Sequence, residues 1–61
     1  MTLEDVLRYH KYQRQYALIR AMQPSVKEET RLIWESQATM HGDLARAVTE
    51  AIEKRTSNEP L

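Results

Sequence analysis

Pro24, one of two prolines, divides this chain into two glycine-poor stretches. Proline disfavours helical geometry in the residue before it, so no helix runs through Gln23. What lies on either side is rich in good helix formers and has no sustained alternation, no Asn-Gly or Asp-Gly turn and one glycine. The pattern predicts an all-α fold with a break at Pro24.

The ends of the two helices can be read from their caps. In "TLED", Thr2 caps the free amides and Asp5 stands at the capping-box position, where Glu or Gln is usual. The first helix is expected from about Leu3 to Met22. In "PSVKEE", Ser25 is the expected N-cap, Glu28 completes a second capping box, and Glu28 and Glu29 suit the positive end of the helix dipole. The second helix is expected from about Val26 to Arg55, and residues 56–61 as a frayed tail of a single domain spanning 1–61. A connection of about three residues folds the helices back antiparallel as a hairpin.

Gly42 offers an alternative, a break that makes three short helices. The periodicity argues for continuity. Val26, Thr30, Ile33, Gln37, Met40, Leu44, Ala47 or Val48, and Ala51 keep four-three spacing through Gly42, and the polar side stays in phase. Arg46 with Glu50, and Glu50 with Lys54, form i,i+4 pairs on that side. The unequal lengths are expected to leave the last turns of helix two overhanging, and these turns carry the apolar Ala47, Val48, Ala51 and Ile52.

On a helical wheel, helix one has two apolar sides. Leu3, Leu7, Leu18, Ala21 and Met22 gather on one, with Val6 and Ala17 at its margin; Tyr9, Tyr12, Tyr16 and Ile19 gather on the other at i, i+3, i+7 and i+10. Helix two covers only one of them. The wheel does not decide which, but the remaining side calls for an intermolecular contact, and tyrosine suits one. The expectation is a homodimer forming a four-helix bundle, with Tyr9, Tyr12, Tyr16, Ile19, Ala47, Val48, Ala51 and Ile52 as association residues. Leu32, which points to the polar side, and Trp34, at the margin of the stripe, are candidate target contacts. Met22 and Met40 read as core fillers.

Size supports a partner. With 61 residues the chain buries only about 60% of its unfolded surface, and small chains usually add disulfides, a metal or a second chain. There is no cysteine, and the two histidines, His10 and His41, lie far apart in sequence with no ligand-spaced neighbours. His41 reads as a partly buried, hydrogen-bonded histidine. No catalytic residues, metal or cofactor are expected. No apolar run approaches the roughly 20 residues that span a bilayer. The acidic start lacks the features of a signal peptide, and a cytoplasmic setting without membrane contact is expected.

The stretch "RYHKYQRQY" raises a nucleic-acid alternative, with Arg8, Lys11 and Arg14 sharing an arc among tyrosines that could stack on bases. In length and layout the chain resembles Rop, the plasmid copy-control family of helical hairpin dimers; that resemblance implies an RNA-binding dimer. Net charge argues the other way. Residues 1–27 carry five bases and two acids, residues 28–61 four bases and seven acids, so the halves neutralise one another. A helix-turn-helix in "WESQATMHGDLARAV" fails because Gln37, His41 and Asp43 occupy positions that must be apolar. The function expected is a small non-catalytic regulator, adaptor or inhibitor that binds another protein, of the type phages and plasmids encode. The alternatives are the Rop-like nucleic-acid binder and a structural subunit of a larger assembly.

Overall fold

A computed structural model describes residues 1–57 and contains two helices, α1 (Leu3–Ala21) and α2 (Glu28–Ser57), with no strand among those residues. The chain is an all-α helical hairpin, 54 × 15 × 14 Å along its principal axes. The antiparallel sense shows in the cross-helix contacts: Glu4 meets Arg55, His10 meets His41, and Tyr16 meets Trp34. Positions 56 and 57, expected in the tail, continue α2; positions 58–61 lie outside the described residues.

α1 begins as its sequence indicates. The Asp5 amide donates to Thr2 Oγ1 at 3.1 Å, and the Thr2 amide donates to Asp5 Oδ2 at 3.1 Å, a capping box with aspartate in place of glutamate. These bonds hold the Asp5 carboxyl below the usual carboxylate range, the Thr2 backbone amide contributing most. At the other end the Met22 N–H reaches both the Leu18 and Ile19 carbonyls, tightening the last turn.

The start of α2 differs from expectation. Gln23, Pro24, Ser25 and Val26 form a turn closed by the Val26 amide on the Gln23 carbonyl at 3.2 Å. Pro24 takes the position whose backbone angle it presets, and Ser25 becomes the second central residue rather than a helix cap. The first intrahelical bond of α2 runs from the Arg31 amide to the Lys27 carbonyl at 2.9 Å, so Lys27 is the N-cap. The connection is accordingly longer than three residues. Glu28 and Glu29 do occupy the first turn.

α2 is continuous through Gly42, and the three-helix alternative does not occur. Gly42 is half-buried beneath Arg14; an added Cβ would lie 3.3 Å from Arg14 Nε and 3.4 Å from Arg14 Cδ. These are atoms of a flexible, exposed side chain that has room to give. Gly42→Ala is therefore expected to stabilise the hairpin by up to about 1 kcal/mol through helix propensity, read as a higher thermal midpoint by circular dichroism. A lower midpoint would mean that Arg14 cannot yield.

The core is made of small residues. Ala17, Ala21, Ala38 and Ala45 are 1%, 8%, 4% and 9% exposed, and no large side chain is fully buried among the described residues. Around them Leu3, Val6, Leu7, His10 and Gln13 of α1, and Trp34, His41, Gly42, Val48, Thr49 and Ile52 of α2, are half-buried. On α2 the seam follows positions 34, 38, 41, 45, 48 and 52, a four-three repeat. The stripe read from the sequence, with Ile33, Met40 and Leu44, is one residue earlier, a rotation of about 100°. Ile33, Met40 and Leu44 are exposed instead, as is Met22 at the turn. Alanine lets the two backbones approach, and the large side chains are left outside.

Surface charge adds little to this. Asp5–Arg8, Arg31–Glu35 and Asp43–Arg46 are exposed pairs within one helix, and Arg46 takes Asp43 as its partner rather than Glu50. Arg55 with Glu4 is the pair that joins the two helices; its guanidinium holds the Glu4 carboxyl below the usual range.

Candidate interaction face

The wheel left open which apolar side of α1 meets α2. The structure turns Leu3, Leu7, Ala17 and Ala21 inward, leaves Leu18 38% exposed on the other flank, and leaves Tyr9, Tyr12, Tyr16 and Ile19 exposed at 55%, 67%, 39% and 54%. Their spacing keeps them in one row along the helix.

Ring contacts fix where this row lies. Tyr9 packs edge-on against His10 and His41, with centroids 5.2 and 6.2 Å apart. Tyr16 packs edge-on against Trp34, with centroids 5.7 Å apart. Arg20 Nε donates to the Tyr16 hydroxyl at 3.0 Å, which steadies that ring. The tyrosine row therefore borders the Trp34–His41 edge of α2.

On α2, Ile33, Gln37, Met40 and Leu44 lie on that same side of Trp34 and His41, away from Gly42. Ile33, Met40 and Leu44 are 60%, 45% and 41% exposed. Exposed Ala47 and Ala51 continue the row toward the end of α2. One broad face thus carries an aromatic row from α1 beside an aliphatic row from α2. Neither the row at 9, 12, 16 and 19 nor the row at 33, 37, 40, 44, 47 and 51 contains a charged residue. From the tyrosines alone, at about 150–250 Å² each, the exposed area is about 300 Å². With the aliphatic row added, it exceeds what isolated surface hydrophobes would give.

The opposite flank is charged. Lys11, Arg14 and Leu18 of α1 border a shallow groove whose α2 side carries Glu35, Thr39, Gly42, Asp43 and Arg46. The candidate nucleic-acid residues are thus set among carboxylates: Lys11 and Arg14 share their groove with Glu35 and Asp43, and Arg8 pairs with Asp5 at 3.5 Å.

Comparison with protein-family models, curated proteins and solved structures finds no match to this chain.

The other candidate positions fall in three places. Val48 and Ile52 are half-buried on the seam side, unlike Ala47 and Ala51. Trp34 is half-buried against Tyr16. Leu32 is 54% exposed on the outer surface of α2, where it lines a shallow depression that Met40 and Leu44 share with the carboxylates Glu35 and Asp43. His10 and His41, far apart in sequence, meet across the seam with their Nδ1 atoms 2.9 Å apart. Among the described residues no three or more of His, Cys, Asp and Glu are placed to hold a metal ion, and no helix is long and apolar enough to cross a membrane.

The sequence reading missed Ile33, Met40 and Leu44 as part of the exposed face. The available signal was the small-residue series Ala38, Gly42 and Ala45 on α2, with Ala17 and Ala21 on α1.

Proposed function

We propose that this chain is a small non-catalytic regulator, adaptor or inhibitor that works by laying its tyrosine–aliphatic face against a helical surface, and that a second copy covers the face when the target is absent. The observation that carries this reading is the exposed two-row face, with no charged residue in either row and Arg20 at the Tyr16 margin, on a hairpin whose own core is four alanines. A two-fold axis through the face sets each tyrosine row over the partner's aliphatic row, which gives a four-helix bundle. Tyrosine contributes area and stacking there while its hydroxyl stays at the wet rim. A cytoplasmic setting belongs to the same proposal and rests on the cysteine-free composition.

Analytical ultracentrifugation tests the self-associating part. A dimer is expected at micromolar concentration, with Tyr12→Ala and Ile19→Ala each weakening association more than they reduce helicity per folded chain. A folded monomer at every concentration would defeat the proposal. Titration with RNA and DNA at several salt concentrations separates it from the Rop-like alternative, since tight binding that weakens steeply with salt belongs to a phosphate-reading dimer.

A further inference from the structure

Two histidines from opposite helices meet at the seam of this hairpin, and the chemistry of that meeting depends on protons. His10 and His41 are both half-buried, their Nδ1 atoms are 2.9 Å apart, and their ring centroids 5.1 Å apart. The Tyr9 ring leans edge-on against both. At this separation one Nδ1 carries a proton and donates it to the other, which is bare. A neutral pair satisfies this arrangement, and so does a singly charged pair. A pair in which both rings are charged does not, because N–H then faces N–H.

We infer that the His10–His41 pair is a pH-sensitive latch, which ties α1 to α2 while at least one imidazole is neutral and lets go when both are protonated. The surroundings do nothing to rescue the doubly charged pair. On α1 the titratable and charged neighbours are Tyr9, on the rings themselves, and Arg14, whose side chain lies over Gly42, the residue after His41. On α2, Asp43 is engaged by Arg46 at 2.9 Å. Among the described residues neither histidine makes a hydrogen bond or ion pair with a carboxylate, and no three of His, Cys, Asp and Glu gather to hold a metal ion. The same fact disfavours a cation as the occupant of the pair, since the other ligands are missing.

The sign follows from proton counting. In the unfolded chain each histidine accepts a proton near its ordinary value of about 6.5. The folded chain takes the second proton only by giving up the bond. The unfolded state therefore binds more protons in this range, and stability falls as pH falls.

Thermal unfolding at fixed protein concentration, from about pH 8 to about pH 5 in the presence of EDTA, measures this while the carboxylates stay ionised. The midpoint of the native protein is expected to drop by about 4–8 °C over that range, the loss of roughly one hydrogen bond in a chain of this size. In His41→Asn the amide oxygen stands near the place of Nδ1 and accepts from His10 in either protonation state, so the drop is expected to vanish. Nitrogen-15 spectra of the native protein near neutral pH give a reading that needs no variant: one ring with Nδ1 protonated, the other with Nδ1 bare. An unchanged midpoint across the pH range, the same drop in His41→Asn, or two rings with bare Nδ1 would each overturn the latch. Loss of the neutral-pH midpoint on adding EDTA alone would do so too, by making a cation the tie.

Discussion

Replacing Ala38 with leucine is expected to remove a large part of the stability of the fold and to lower its thermal midpoint steeply. Ala38 is 4% exposed, on the seam between two helices whose other buried residues are also alanine. Side chains that end at Cβ leave no bulk at these positions to hold the helices apart. A leucine brings three further carbons to this nearly closed position, and the neighbouring side chains on the seam must shift to admit them. Overpacking of this kind typically costs about 1–3 kcal/mol, and a core of this size rarely supplies more than about 3–5 kcal/mol in total. Far-UV circular dichroism and the thermal midpoint report the loss directly. Leu32→Ala is the matched control: it removes the same group from the outer surface of α2 and is expected to change stability by no more than about 0.5 kcal/mol. If Ala38→Leu melted like the native chain, the seam would be looser than an alanine core requires.

The same alanines explain what the sequence could and could not reveal. The hairpin was legible because its signals are local: Thr2 with Asp5 opens α1, Pro24 closes it, and continuous periodicity carries α2 past Gly42. Ser25 misled because a serine after proline serves equally as a helix cap or as the second central residue of a turn, and the path back to α1 selected the turn. The phase of α2 misled for a deeper reason. Periodicity weighs side chains by the area they can bury, so Ile33, Met40 and Leu44 outrank Ala38 and Ala45. In a two-helix packing the deciding quantity is how closely the backbones approach, and there the small side chains win. The tyrosine row was visible as a row, since four residues at helical spacing need no partner to be recognised. Its neighbour on α2 was not, nor was the meeting of His10 with His41, because both depend on the register between helices. That register is fixed by tertiary contacts, Arg55 on Glu4 at one end and Trp34 on Tyr16 toward the other, which no single helix encodes.

Lysine at both Ile33 and Leu44 is expected to abolish self-association and to remove the concentration dependence of thermal stability. Both positions are exposed in the single hairpin, at 60% and 41%, so one chain accommodates the longer side chains without a clash. In the proposed dimer both lie beneath a second copy, where two unpaired ammonium groups per chain would lose their hydration. A penalty on the order of 3 kcal/mol weakens the dimer more than a hundredfold. The native protein, if folding and association are linked, melts higher as its concentration rises. The double variant is expected to melt at one temperature whatever its concentration, and the native chain on dilution is expected to converge on that temperature. This convergence distinguishes a face from a core. Were Ile33 and Leu44 holding the hairpin itself together, the variant would melt well below the diluted native chain, because lysine would damage the monomer as well as the contact. A variant that still sediments as a dimer would instead remove the face from the interface altogether.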